Sequence, residues 1–419
     1  MTTNDAIGSN WAGIYDYRAA GLLHPADARE VTEIVSRATK VRALGTRHTF
    51  SDLADTSGEL VSIDRFQPDI VVDADAQTVS FSAGLRYGDL ATVLQERGWA
   101  IHNLASLPHI SVAGAVVTST HGSGDRNGTL STGVAALEFV DGTGNLVRLG
   151  RADPDFDGAV VSIGALGIIT RITLDIEPTF DVRQDLYNRI PWDVALENFD
   201  AITSSAYSVS LFTDWTDRGI SITWLKSRMD AAAPPAELFG AIAETVDEHM
   251  LPDQPPSNTT QQGGVPGPWN DRLAHFKLGF TPSNGDEVQS EFLVPRAKVI
   301  EAINSLREIG DRITPLLLVT EIRTMSADNL WLSGAYQTDA VGIHFTWKKL
   351  PTEVLAILPE IEARLLPLGA RPHWGKVFTA EADRIVPLYP RFNDFRALVE
   401  KYDPKGVFHN DFLARKLGL

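Results

Sequence analysis

The chain contains no cysteine, which excludes disulfides, thiolate metal sites and cysteine nucleophiles and removes any redox clue to compartment. It also lacks an excess of positive charge, because 37 basic side chains stand against 54 acidic ones for a net −17. Nucleic acids and anionic membranes need a basic footprint, so neither is expected as a partner. No apolar run approaches the roughly 18 residues that a membrane helix needs. The opening MTTNDAIGSNWAGIYDYRAA carries two acids and no apolar core, so it does not read as a secretory signal and a cytoplasmic protein is expected. What remains is a chain of 419 residues with 43% hydrophobic and 22% charged side chains, too long for one simple core and therefore expected to form two domains.

Periodicity organises the chain. PADAREVTEIVSRATK spaces Val31, Ile34, Val35 and Ala38 at helical intervals behind Pro25 and Asp27, which suit a helix start. Strand-like runs follow in VRAL, ELVSID, DIVVDA and TVSFSAG. A second helix, YGDLATVLQERG, then stacks Leu90, Val93 and Leu94 and stops at Gly98. A glycine- and serine-rich stretch from Asn103 to Gly128 precedes two strands around a GTGN turn and the run GALGIITRITLDIEP. After Pro178 the texture changes to long alternating strands, AYSVSLFTDW, GISITWLK, EVQSEFLVP and AVGIHFTW, with helices between them. The domain boundary falls near Pro178, and the five prolines between Leu251 and Pro268 predict an irregular surface loop.

Several stretches carry chemistry. SLPHISVAGAVVTSTHGSGDRNG is dominated by small and hydroxyl side chains that leave backbone N–H groups uncovered, as a diphosphate requires. Its glycines are spaced G-x-G-x-x-x-G and join no strand to a helix, so a dinucleotide fold of the βαβ type is rejected, and no Walker A sequence exists. His102, His109 and His121 lie nearby without a zinc-motif spacing, and no metal is expected. In GTRHTFSD a strand ends on Gly45 and the turn presents Arg47 and His48; alone, this reads equally as a buried structural histidine.

Three later strands carry charge where the pattern predicts core. Glu321 and Arg323 share one face of LLLVTEIRTM, and His344 and Thr346 share one face of VGIHFTW. RPHWGKVF reads as a strand with Trp374 and Lys376 on one face and His373 on the other. Each pair alone reads as a structural ion pair, but three converging strands predict a polar cavity.

Taken together, LGTRHTFSD, NLASLPHISVAGAVVTSTHGSG, SIGALGIITRITL, AYSVSLFTDW, GVPGPW and RPHWGKVF…YPRFNDFRAL…DPKGVFHNDF carry a family. The chain resembles the vanillyl-alcohol-oxidase-type flavoproteins and, within them, the alditol and sugar-lactone oxidases. The resemblance implies an α+β fold. A two-subdomain FAD-binding domain spans residues 1–178, and a substrate domain with a large antiparallel sheet flanked by helices spans 179–372. The closing segment, about 373–419, would pack back on the first domain.

By the same resemblance, His48 would carry FAD covalently at the 8α-methyl. The backbone of Ala43, Leu44, Gly45, Thr46, Arg47 and Thr49 would line the flavin and its diphosphate. So would Ser106, Ser111, Gly114, Ala115, Val116, Val117 and Thr118. Ile168 would sit on the adenine side and His373 near the isoalloxazine. Ser106, Glu321, Arg323, Thr346 and Lys376 would hold a small polyol, with His344 beside them, and Glu321, Arg323, Lys376 and His344 are the catalytic candidates. The activity implied is oxidation of a terminal alditol hydroxyl by flavin and molecular oxygen in a monomeric protein; an aldonolactone oxidase or dehydrogenase of the same fold is the alternative, and a non-catalytic carbohydrate-binding flavoprotein a more distant one. Two positions depart from the family pattern: Arg47 stands where relatives have glycine, and His102, read as structural, where they have proline.

Overall fold

A computed structural model of the chain describes residues 7–251, 254–279 and 285–419. Three sheets organise it. Near the N-terminus, β1 (Gly21–Leu23), β2 (Val41–Ala43) and β3 (Glu59–Val61) form a parallel sheet in the order β1–β3–β2. Helix α1 (Ala28–Arg37) starts where Asp27 accepts the Glu30 N–H, and it buries Val31, Ile34 and Val35 on one face as the spacing predicts.

An antiparallel five-stranded sheet follows. It comprises β4 (Val71–Asp73), β5 (Thr78–Ser82), β6 (Val134–Asp141), β7 (Leu146–Gly150) and β8 (Gly167–Asp175), in the order β4–β5–β8–β6–β7. Between β5 and β6 lie α2 (Tyr87–Glu96) and the short α3 (Val112–Val117).

The second half is built on an eight-stranded antiparallel sheet. Its strands are β9 (Asp181–Ile190), β10 (Ser208–Thr213), β11 (Ile220–Arg228), β12 (Glu287–Pro295), β13 (Leu317–Met325), β14 (Ala340–Lys348) and β15 (Arg371–Pro372), with Gly267–Pro268 on the β9 edge. The order from that edge is β9, β11, β10, β13, β14, β12, β15. Period-two alternation gives β12, β13 and β14 two unlike faces. One carries Val288, Phe292, Ile322, Ile343, Phe345 and Trp347, all buried, with the Phe345 and Trp347 rings stacked at 5.0 Å. Helices Val299–Arg307 and Pro351–Leu365 bury Ile303, Leu306, Ile357, Leu358 and Ile361 in the same core. Each aromatic side chain buried there contributes about 2–3 kcal/mol of transfer free energy. The other face carries Gln289, Glu291, Glu321, Arg323, His344 and Thr346, and it is this face that positions the site.

Two expectations are corrected. Of the expected loop 251–268, residues 252 and 253 lie outside the described residues; the rest is irregular, but it is not wholly a surface loop. Thr259, Thr260 and Gln262 are buried, with Thr260 Oγ1 donating to the Ala274 carbonyl at 2.9 Å and Gln262 Nε2 to the Glu248 carbonyl at 2.7 Å. Side-chain hydrogen bonds satisfy there what prolines deny to a ladder. RPHWGKVF leaves the sheet at Pro372, so the residues after it do not alternate. His373 N–H still bonds the Glu291 carbonyl at 3.0 Å, and Lys376 N–H closes a turn on the His373 carbonyl at 3.0 Å. Trp374 turns into the core against Tyr389, while His373 and Lys376 both face the cavity.

The end of the chain is stitched to its beginning. The edge of β2 is covered where Val41 N–H donates to the Val407 carbonyl at 2.9 Å. Asn410 Nδ2 donates to the carbonyls of Leu53 at 3.0 Å and Asp55 at 2.8 Å. Arg42 is buried among carbonyls, donating to Gly164 at 2.9 Å, Phe408 at 3.0 Å, Leu53 at 2.6 Å and Ile163 at 2.9 Å. No helix among the described residues is long and apolar enough to cross a membrane.

Candidate active site

A cavity of about 850 Å³ runs between the loops of the first half and the polar sheet face of the second. Its first wall is a cradle of bare backbone. The turn after β2 reaches α3 so closely that a Cβ at Gly45 would sit 2.5 Å from Ser111 Oγ, and one at Gly114 would sit 2.8 Å from the same atom. Ser111 N–H donates to Thr46 Oγ1 at 3.0 Å, tying the two loops together. Ala43, Leu44, Gly45, Thr46, Arg47, His48 and Thr49 all line this wall. Ser106, Ser111, Gly114, Ala115, Val117, Thr118 and Ile168 join them. Val116 does not: α3 turns it into the core, and its carbonyl accepts the Ser131 hydroxyl at 2.7 Å. His102 also lies off the cavity wall, half-buried with its ring against Gly133.

His48 sits at the rim of the cradle, with Nδ1 3.0 Å from Thr46 Oγ1 and its ring stacked on Trp11 at 5.3 Å. Burial, reinforced by Lys376 and then His109, lowers its pKa to about 4, so the imidazole is neutral. Arg47 adopts φ +64°, a left-handed conformation that suits glycine far better than a branched side chain. Its guanidinium reaches the Ile7 carbonyl and, at 3.4 Å, the Ser9 carbonyl, and it lies 5.5 Å from the Tyr17 ring centre. Trp11 N–H returns a bond to the Arg47 carbonyl at 2.9 Å. Arg47 therefore fastens the N-terminal segment over the His48 turn.

The opposite wall is charged. Arg323 Nη1 donates to Ser106 Oγ at 3.1 Å, with Nη2 3.5 Å from Glu291 Oε1 and Nε 3.5 Å from Glu321 Oε1. Burial opposes ionisation of Glu321, but Arg323 and then His275 outweigh it and hold the carboxyl well below the usual carboxylate range. Glu291 is likewise held low against burial, by His121, His344 and Arg323. His344 is buried, its Nε2 has no partner, and burial lowers its pKa to about 3. His373 accepts the Gly375 N–H on Nδ1 at 3.1 Å, which leaves Nε2 to face Thr120 Oγ1 at 3.3 Å. Lys376 donates to Gln289 and lies 5.1 Å from the Phe50 ring centre. Burial, with Arg323 adding to it against Glu291 and Glu287, brings the Lys376 pKa down to about 8.

The cavity thus brings together every candidate of the charged strands, Glu321, Arg323, His344, Thr346, His373 and Lys376, with Ser106 on the facing wall. Sequence reasoning missed Gln289, Glu291, His121, His275 and Trp11. The first two were legible: EVQSEFLVP alternates Gln289 and Glu291 against Val288, Ser290 and Phe292, the same two-residue spacing that exposed Glu321 and Arg323. The other three lie outside regular strands, where no period marks the direction of a side chain.

The chain is similar to known proteins. The family model described as FAD binding domain matches residues 19–150, and that of D-arabinono-1,4-lactone oxidase matches residues 283–416. The chain is 43% identical over 408 residues to the alditol oxidase of Streptomyces sp. (strain IKD472 / FERM P-14339), covering 97% of each. It is 26% identical over 441 residues to the L-gulono-1,4-lactone dehydrogenase of Mycobacterium tuberculosis, covering 98% of this chain and 99% of that one. The solved cholesterol oxidase from B. sterolicum superposes with a TM-score of 0.79 over 98% of this chain and 96% of that one, at 16% identity, a likeness of fold alone.

Proposed function

The chain belongs to the alditol oxidase family of vanillyl-alcohol-oxidase-type flavoproteins, and we propose that it oxidises the terminal hydroxyl of alditols to the aldose. Xylitol and sorbitol are the proposed substrates. The observation that carries this reading is the Arg323 guanidinium, shared by Ser106, Glu321 and Glu291 on the charged wall of the cavity, opposite a cradle that suits a flavin. Gly45 and Gly114 leave the backbone bare at the closest approach of the two loops, so the residues present fit FAD. FAD, when bound, supplies the hydride acceptor and passes the electrons to oxygen, giving hydrogen peroxide.

His48 is the proposed attachment point, because its neutral imidazole keeps a free lone pair at the rim of the cradle. Acid-precipitated protein should then stay yellow, and His48→Ala should release its flavin to the supernatant. Equal release from both proteins would remove the tether.

The chain's own groups do the remaining work. Glu321 and Thr346 orient the polyol, and Arg323 stabilises charge on its reacting oxygen. His344 presents an unpartnered Nε2 to the cavity but is a weak base at a pKa of about 3. Lys376 titrates closer to neutrality. It is cationic below its pKa of about 8 and neutral above it, so a charge-stabilising role predicts that kcat/KM falls as pH rises through that value. A pH profile with xylitol checks this, and a rise through the same midpoint would make Lys376 the base instead.

Peroxide release from a panel of polyols in air tests the assignment. The match of a lactone oxidase model to residues 283–416 favours one second reading, oxidation of an aldonolactone in the same cavity. Turnover confined to lactones, or to an artificial electron acceptor, would select it.

A further inference from the structure

Behind the charged wall lies a second buried set of groups that the reaction above does not use. Lys226, on β11, is 1% exposed, and its ammonium donates to the carbonyls of Leu273 at 2.7 Å and Ala274 at 2.8 Å. The third direction of that ammonium points to His275 Nδ1 at 3.4 Å. An ammonium has three donors and no acceptor, so His275 Nδ1 faces it as the acceptor. The ring proton then resides on Nε2, which stands 2.6 Å from Glu321 Oε1. Burial first, with Lys226 adding to it, lowers the His275 pKa to about 4 and keeps the ring neutral, in keeping with one proton on two nitrogens.

The ring has little freedom to leave this arrangement. Trp224 meets it edge-on at 5.1 Å and Phe212 at 6.2 Å, and these two rings also pack on each other at 5.0 Å. The backbone is fixed as well, since the N–H groups of His275 and Phe276 both donate to the Ser106 carbonyl, at 3.1 and 3.2 Å. Ser106 in turn receives Arg323 Nη1 on its hydroxyl, and Arg323 Nε approaches the same Glu321 oxygen that His275 holds. The contacts close into a ring running His275, Glu321, Arg323, Ser106 and back to His275.

We propose that Lys226 and His275 are positioning residues, a relay that fixes the imidazole tautomer and thereby turns Glu321 so that its second carboxylate oxygen faces the polyol. This rests on the alditol reading for the identity of the substrate but not for the relay itself. His275 holds Glu321 by a neutral N–H, which leaves the carboxylate ionised and free on Oε2. A protonated imidazole there would neutralise the charge that grips a substrate hydroxyl. Burial brings the Lys226 pKa down to about 7, so below that pH Lys226 prevents this by occupying the acceptor nitrogen with a charge of its own.

Two measurements test it. In long-range ¹⁵N–¹H spectra of the flavin-loaded, substrate-free protein at about pH 6, where Lys226 is an ammonium and His275 is neutral, His275 should show the Nε2–H tautomer, and Lys226→Met should convert it to a mixture. A doubly protonated ring, an Nδ1–H tautomer, or no change in Lys226→Met would overturn the relay whatever the substrate is. With xylitol, His275→Phe should raise KM about tenfold to a hundredfold, as expected for a lost hydrogen bond to a charged group, with kcat within about threefold. His275→Gln, which restores an N–H donor, should recover most of that loss. An unchanged KM in His275→Phe, or losses in kcat and flavin content without rescue by glutamine, would also overturn it. If the wild-type protein does not turn over polyols, the alditol reading fails, and the tautomer measurement still decides the relay.

Discussion

Replacing Arg323 with methionine should lower kcat/KM for a polyol about a thousandfold while the flavin stays bound. The guanidinium is 6% exposed and lies within 3.5 Å of Ser106, Glu291 and Glu321. Its loss removes a buried cation from the proposed substrate wall. It also leaves two buried carboxylates without their shared partner, which favours protonation of at least one of them. Both effects act on the substrate wall and not on the cradle, so absorbance of the bound flavin should be retained. Arg323→Lys should recover no more than about tenfold, because an ammonium keeps the charge but cannot reach Ser106 and both acids at once. Steady-state kinetics beside a flavin spectrum decide the matter, and a fall in kcat/KM below about tenfold in Arg323→Met would reject the role.

The second large effect is expected on stability. Arg42→Met should destabilise the protein by about 4 kcal/mol and loosen its hold on flavin. Four carbonyls lose their donor, and each buried acceptor left unpaired costs about 1–3 kcal/mol, partly offset by no longer desolvating a cation. Burial already lowers the Arg42 pKa to about 10, which leaves the group charged at neutrality. Two of the four acceptors, Ile163 and Gly164, occupy the left-handed region at φ +48° and +71°. A β-branched residue is strained there, and Arg42 donates to both carbonyls of that turn. The turn lines the cavity, so its relaxation should appear as an earlier change in flavin absorbance in a urea titration, ahead of the loss of tryptophan signal. Coincident, wild-type-like midpoints for both signals would contradict the assignment.

How much of this could be read from the chain depends on where each residue sits. Glu321, Arg323, His344 and Thr346 were legible because strands alternate, and a charge at a core position on a strand must face something polar. The flavin cradle was legible for the opposite reason, since bare backbone is written as glycine and small hydroxyl residues. Lys376 was placed in the cavity for a wrong reason: the expected strand stops at Pro372, and a turn, not alternation, aims the side chain. Arg47 resisted reading because its partners, the carbonyls of Ile7 and Ser9, lie some 40 residues away and are backbone atoms that no sequence pattern marks. His275 and Lys226 were silent for the same kind of reason. Each meets its partner across the fold, and an isolated lysine in ITWLKSR looks like any solvated one.

The stitching of residues 406–410 to residues 40–55 has a consequence for how the protein is made. Lys40, Val41 and Arg42 all bond to carbonyls between Gly406 and Phe408, 366 residues further along the chain. Synthesis runs from the N-terminus, and most domains fold as they leave the ribosome. Here the first-made sheet cannot cover its own β2 edge until residues 406–408 have been made. The turn that follows directly from β2 lacks that support until then. A nascent chain that has not reached residues 406–410, or one truncated before them, would present the binding loops without part of the scaffold that sets them.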